Sequence, residues 1–116
     1  MPHERPRFLC PQIKQSLKWS PIVALYGLRQ VGKSTLAKQI TAEQNGDYVT
    51  LDQAIDLHTA ESAPNDFLSR GKLFCIDETQ KAPTLFPALK LHVDENKKPG
   101  QFLLTGSVRF TLKKEI

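Results

Sequence analysis

Residues 27 to 34 spell Gly-Leu-Arg-Gln-Val-Gly-Lys-Ser and satisfy the pattern G-x-x-x-x-G-K-[ST] at every fixed position. An apolar run, Ile22-Val23-Ala24-Leu25-Tyr26, leads into it, and a helix-like segment follows. A loop can wrap a polyphosphate only if successive backbone N–H groups point inward, and its tightest points then need residues without a Cβ. Gly27 and Gly32 meet that need, while Leu28, Arg29, Gln30 and Val31 complete the loop. Lys33 would reach the β- and γ-phosphates as a point charge. The Ser34 hydroxyl would be one ligand of a Mg²⁺ bridging them. Thr35 falls in the first helical turn, near the α-phosphate, and the positive end of the helix dipole adds to the same site.

The rest of the composition narrows the setting. At 116 residues, 40% hydrophobic and 24% charged, the chain reads as one soluble globular domain over residues 1–116, and no apolar run approaches a membrane span of roughly 20 residues. The amino terminus has no apolar stretch of signal-peptide length, so a cytoplasmic location is expected. Cys10 and Cys75 lie far apart in sequence and read as free thiols. His3, His58 and His92 share no metal-ligand spacing, so no structural metal is expected. The net charge of +4 is unevenly laid out: residues 41 to 80 hold two basic and eight acidic residues, whereas each flank holds seven basic ones. A nucleic-acid partner is only weakly supported, because no basic-aromatic interleaving accompanies the charge.

Strands are predicted to alternate with helices. A leading helix over about 11–19 places Ile13 and Leu17 one turn apart, with Pro11 in its first turn. Strand 1, Ile22 to Tyr26, is apolar throughout and reads as buried on both faces. A helix from Lys33 to about Ala42 stops at Asn45-Gly46, and strand 2 covers Tyr48 to Leu51. Residues 53 to 71 suggest two short helical turns separated by Pro64. Leu73 to Ile76 forms strand 3, Pro87 to Asn96 a helix, and Phe102 to Leu104 strand 4. This is an α/β pattern: a parallel sheet of about four strands with flanking helices and a core over about 21–107.

In such a sheet the residues just past the strands share one edge. Asp77 ends strand 3, where its carboxylate can hold a Mg²⁺ water opposite Ser34. Glu78 is placed to polarise a water for attack on the γ-phosphate, and Thr105, ending strand 4, can hydrogen-bond that water or the phosphate. Arg29 and Arg109 read equally as phosphate contacts or as surface arginines, and Asp52 as a strand cap. A GTPase would show D-x-x-G after strand 3 and an N-K-x-D motif; neither is present, so ATP is favoured over GTP. A small-molecule kinase, for which an arginine-rich lid is expected, is the weakest alternative.

The segments V-A-L-Y-G-L-R-Q-V-G-K-S-T-L-A, F-C-I-D-E-T-Q-K-A-P-T-L-F-P-A-L-K and V-D-E-N-K-K-P-G-Q-F-L-L-T-G-S together resemble the AAA-type P-loop ATPase domain of a prokaryotic family that carries a DUF4143 carboxy-terminal domain. The resemblance covers roughly residues 8 to 112. It implies strand order 1-4-3-2, phosphate and Mg²⁺ binding by Lys33 and Ser34, a Walker B pair at Asp77-Glu78, and a sensor at Thr105. It also implies a fifth strand, a helical lid and a trans-acting arginine beyond Ile116, so that the sequence reads as part of a longer ATPase. A non-catalytic nucleotide-binding or interaction module is the alternative. With strand 1 at an open edge, the leading helix, the tail after Ser107 or another copy of the chain is expected to cover it; a protein partner is expected as well, and the sequence does not identify it.

Overall fold

Four strands of four residues each, Ile22–Leu25 (β1), Asp47–Thr50 (β2), Phe74–Asp77 (β3) and Phe102–Thr105 (β4), form one all-parallel sheet in the order β1-β4-β3-β2. The fold is thus the α/β, P-loop-type arrangement expected. This computed structural model describes residues 5–26 and 31–106, without the side chains of residues 5–10 and 31–34. Its helices are Arg5–Trp19 (α1), Val31–Glu43 (α2), Ala54–Ser62 (α3), Pro64–Leu68 (α4) and Leu85–Glu95 (α5).

The period-two alternation of the strands sorts the core into two layers. Cys75 and Leu103 face one way and pack with Ile13 and Leu17 of α1 and Leu36, Ala37 and Ile40 of α2. Phe74, Ile76, Phe102 and Leu104 face the other way, onto Ala60, Phe67, Leu68, Leu85 and Leu89 from α3, α4 and α5. Phe74 and Phe102 are fully buried, which stabilises the sheet by about 1.5–3 kcal/mol each. The Phe74 ring meets Phe67 at a centroid distance of 5.2 Å, and the Arg70 guanidinium lies 4.1 Å from its centroid. Arg70 also reaches Asp47 at 3.2 Å, so one side chain ties the loop before β3 to the start of β2.

Helix α2 ends as its sequence dictates. Gly46 N–H donates to the Thr41 carbonyl at 2.8 Å, and Asn45 takes the left-handed conformation at φ 58°. Asn supplies the positive φ, while Gly46 is needed for proximity: a Cβ there would lie 2.4 Å from the Leu73 carbonyl oxygen.

Several local expectations need correction. The leading helix begins at Arg5 rather than near residue 11, so Pro11 sits inside it and not in its first turn. β1 is half-buried, with Ala24 exposed, and not covered on both faces; among the described residues β4 is its neighbour and no strand lies beyond it. A 3₁₀ turn, Thr79–Lys81, follows β3, and α5 starts two residues before Pro87, which its first turn accommodates. Asp52 does not merely cap a strand; its carboxylate pairs with Lys81 at 2.6 Å. Among the described residues no helix is long and apolar enough to cross a membrane. Cys75 is a free, buried thiol.

Two outcomes follow from this packing. Replacing Gly46 with Ala forces backbone apart at Leu73 and should lower stability by about 1–3 kcal/mol in urea denaturation. Burial, with the Asp77 charge adding and the Thr41 hydroxyl partly offsetting, pushes the Cys75 thiol up from 9.0 to about 12. The folded chain therefore keeps a proton that the unfolded chain releases, and stability present below pH 9 is lost as the pH rises toward 12. At pH 10 the loss should be about 1 kcal/mol relative to pH 7, and Cys75→Ala should flatten it.

Candidate functional site at the carboxyl edge of the sheet

β1 ends at Leu25 and α2 begins at Val31, so only residues 26 to 30 separate the strand from the helix. Gly27, Leu28, Arg29 and Gln30 lie outside the described residues, as do Ser107 and Arg109. The backbone of Val31, Gly32, Lys33 and Ser34 forms the first turn of α2, with Thr35 next. The opening N–H groups of a helix have no acceptor within it, and together with the dipole they make that turn a seat for negative charge. Leu25 pairs with Thr105 across the ladder, which places the end of β1 beside the end of β4.

The sheet order brings the other chemical groups to the same edge. Thr50 of β2 is in register with Asp77 of β3, and Ile76 with Leu104. Alternation from Cys75 and Leu103 turns Asp77 and Thr105 toward the α1 and α2 side. Asp77 is 6% exposed and Thr105 1%. Burying a carboxylate is costly unless donors meet it, and donors from several parts of the chain meet this one. The Thr105 hydroxyl donates to Asp77 Oδ1 in a short hydrogen bond, the Glu78 N–H donates to the same oxygen at 3.1 Å, and the Tyr48 hydroxyl donates to Oδ2 at 2.7 Å.

Glu78 takes the left-handed conformation, φ 58° and ψ 46°, an uncommon state for a residue with a side chain and one that recurs at functional sites. It turns the chain out of β3 directly into the 3₁₀ turn. The buried Thr79 hydroxyl then sits between the carbonyls of Ile76 (2.8 Å) and Thr105 (3.0 Å), with one proton to share, and locks the ends of β3 and β4 together. Gln80 Nε2 donates to Glu78 Oε1 at 2.7 Å. The same amide lies against Gly106, where a Cβ would stand 2.3 Å from Gln80 Oε1 and 3.2 Å from the Tyr26 ring.

Two buried polar atoms at this point, Tyr26 Oη and Gln80 Oε1, lack a hydrogen-bond partner among the described residues. Burial pushes the Tyr26 phenol above its ordinary value of 10.0; the nearby Thr79 hydroxyl offsets part of this, without a bond of normal geometry, and the Glu78 charge adds to it.

Of the residues singled out from sequence, Asp77, Glu78 and Thr105 converge at the edge where α2 begins. Sequence reasoning missed Tyr48, Thr79 and Gln80. Tyr48 had a legible signal, since it stands two residues before the end of a strand that finishes at the same edge. Gln80 had none, because its contact depends on the turn made by Glu78.

The similarities to known proteins agree with this geometry. Residues 20–116 match the family model described as an AAA domain. Uncharacterized proteins of Mycobacterium tuberculosis and Mycobacterium bovis are each 30% identical over 96 residues, which is 83% of this chain and 22% of theirs. The chain thus spans about a fifth of the length of these relatives, and no solved structure matches it. With a parallel 1-4-3-2 sheet and a helix opening at the phosphate-loop sequence, the chain belongs to the AAA domain family, nucleotide-binding domains of the ATPase type.

Proposed function

We propose that the chain binds ATP with Mg²⁺ and hydrolyses its terminal phosphate. The observation that carries this reading is the meeting of Asp77, Glu78 and Thr105 at the sheet edge where α2 opens, with Asp77 and Thr105 directly hydrogen-bonded. Residues Gly27 to Thr35 cradle the phosphates through backbone N–H groups, and Lys33 adds its charge. The donor set suits a hard cation: a buried carboxylate at Asp77, oriented by Tyr48 and the Glu78 N–H, and a hydroxyl at Ser34 in the first turn of α2. When bound, the ion supplies charge neutralisation on the β- and γ-phosphates.

Glu78 serves as the base. Its carboxylate takes a proton from a water as the water oxygen bonds to the γ-phosphorus and the bond to the β–γ bridging oxygen breaks, releasing ADP and phosphate. Thr105 fixes Asp77 and stands within reach of the phosphate edge. Gln80 holds one oxygen of Glu78 and so sets the direction of the other. Partners, assembly and the process driven by hydrolysis belong to the whole protein of which relatives show a far greater length.

Lys33→Ala should reduce ATP affinity at least tenfold in a fluorescent-nucleotide titration. Glu78→Gln should bind ATP as wild type does and lose phosphate release by a factor on the order of 100. Absence of release from wild type as well as the variant would support a non-catalytic nucleotide-binding module instead. Gly106→Ala pushes Gln80 away from Glu78 and should lower kcat by about 10- to 100-fold with ATP affinity little changed, measured by phosphate release under saturating ATP.

A further inference from the structure

We propose that Tyr48 is a positioning residue for the metal-holding carboxylate, so that its hydroxyl sets how strongly Mg²⁺ enhances ATP binding. The inference rests on the reading of Asp77 as the Mg²⁺ carboxylate. Tyr48 lies on β2, the strand farthest from the phosphate loop in the sheet, and its ring packs with the α1 and α2 layer. From there its hydroxyl reaches Asp77 Oδ2 at 2.7 Å. The other carboxylate oxygen is held by Thr105 and by the Glu78 N–H. With both oxygens engaged from different strands, rotation of the carboxylate about its Cα–Cβ and Cβ–Cγ bonds is removed, and its plane is set before any cation arrives.

A phenol suits this task better than an alcohol. With an ordinary pKa near 10 it is the stronger neutral donor, and its ring spans the distance from β2 with only two rotatable bonds. The ring carries a second contact: Lys38 Nζ lies 5.1 Å from its centroid. Lys38 is one turn along α2 from Ser34, the other residue assigned to the ion. A cation over the ring draws electron density from it and strengthens the hydroxyl as a donor. Through Lys38, Tyr48 and Asp77 the helix that opens at the phosphates is joined to the carboxylate across the sheet.

A residue that merely fills space would be served equally by phenylalanine, which separates the two roles. Tyr48→Phe in the whole chain should weaken binding of a fluorescent ATP analogue about tenfold in millimolar Mg²⁺, equivalent to about 1.4 kcal/mol, and change it less than twofold in EDTA. The EDTA titration and the thermal midpoint of the variant report whether the fold and the phosphate seat are intact. Equal weakening in both conditions, or no change in either, would overturn the proposal and make Tyr48 a packing residue. Failure of wild type to bind the analogue at all would overturn the ATP-binding reading itself, and this inference with it.

Discussion

A carboxylate buried to 6% exposure at the end of a central strand imposes more on this structure than any other group. Left alone, the Asp77 charge would cost several kcal/mol in an interior of low dielectric. Among the described residues, donors that offset this cost come from Tyr48 on β2, Thr105 on β4 and the backbone of Glu78. No local segment could provide them. They meet only when β3 lies between β2 and β4 and all strands point the same way, so the strand order and the solvation of one carboxylate are the same requirement.

The turn after β3 follows from that requirement. The Glu78 N–H is already committed to Asp77, and the chain then bends through a left-handed residue rather than continuing the strand. Thr79 is drawn beneath the ends of β3 and β4. Gln80 is brought back beside Glu78, in a space that exists because residue 106 has no side chain. Backbone strain at one residue thus sets the geometry of the two side chains, Thr79 and Gln80, that follow the proposed base.

Much of this was legible in the residues. Fixed positions at Gly27, Gly32, Lys33 and Ser34, an apolar run before them and helical spacing after them gave the strand, loop and helix, and resemblance gave the sheet order. Asp77, Glu78 and Thr105 could be placed because strand ends in a parallel sheet share an edge. The reading failed where local pattern carries no information about neighbours. Ile22 to Leu25 is as apolar as a strand flanked on both faces, yet β1 is half-buried, because composition records what a strand tolerates and not what packs on it. Pro11 suggested a helix start by its usual preference, but α1 runs through it. Tyr48 and Gln80 are ordinary polar residues until topology brings them to Asp77 and Glu78.

The carboxyl end of α2 is anchored by close backbone contact. There Gly46 lies against the Leu73 backbone with no room for a methyl group, and Asp47 N–H bonds the Leu73 carbonyl at 2.8 Å. That end is seated at the opposite edge of the sheet from the proposed phosphate site. The helix is 13 residues long, a rigid arm of about 20 Å at a rise of about 1.5 Å per residue. Lys14 of α1 is ion-paired with Glu43 near that end, while Ile13 and Leu17 pack on Leu36, Ala37 and Ile40, so α1 braces this arm along most of its length rather than at one point.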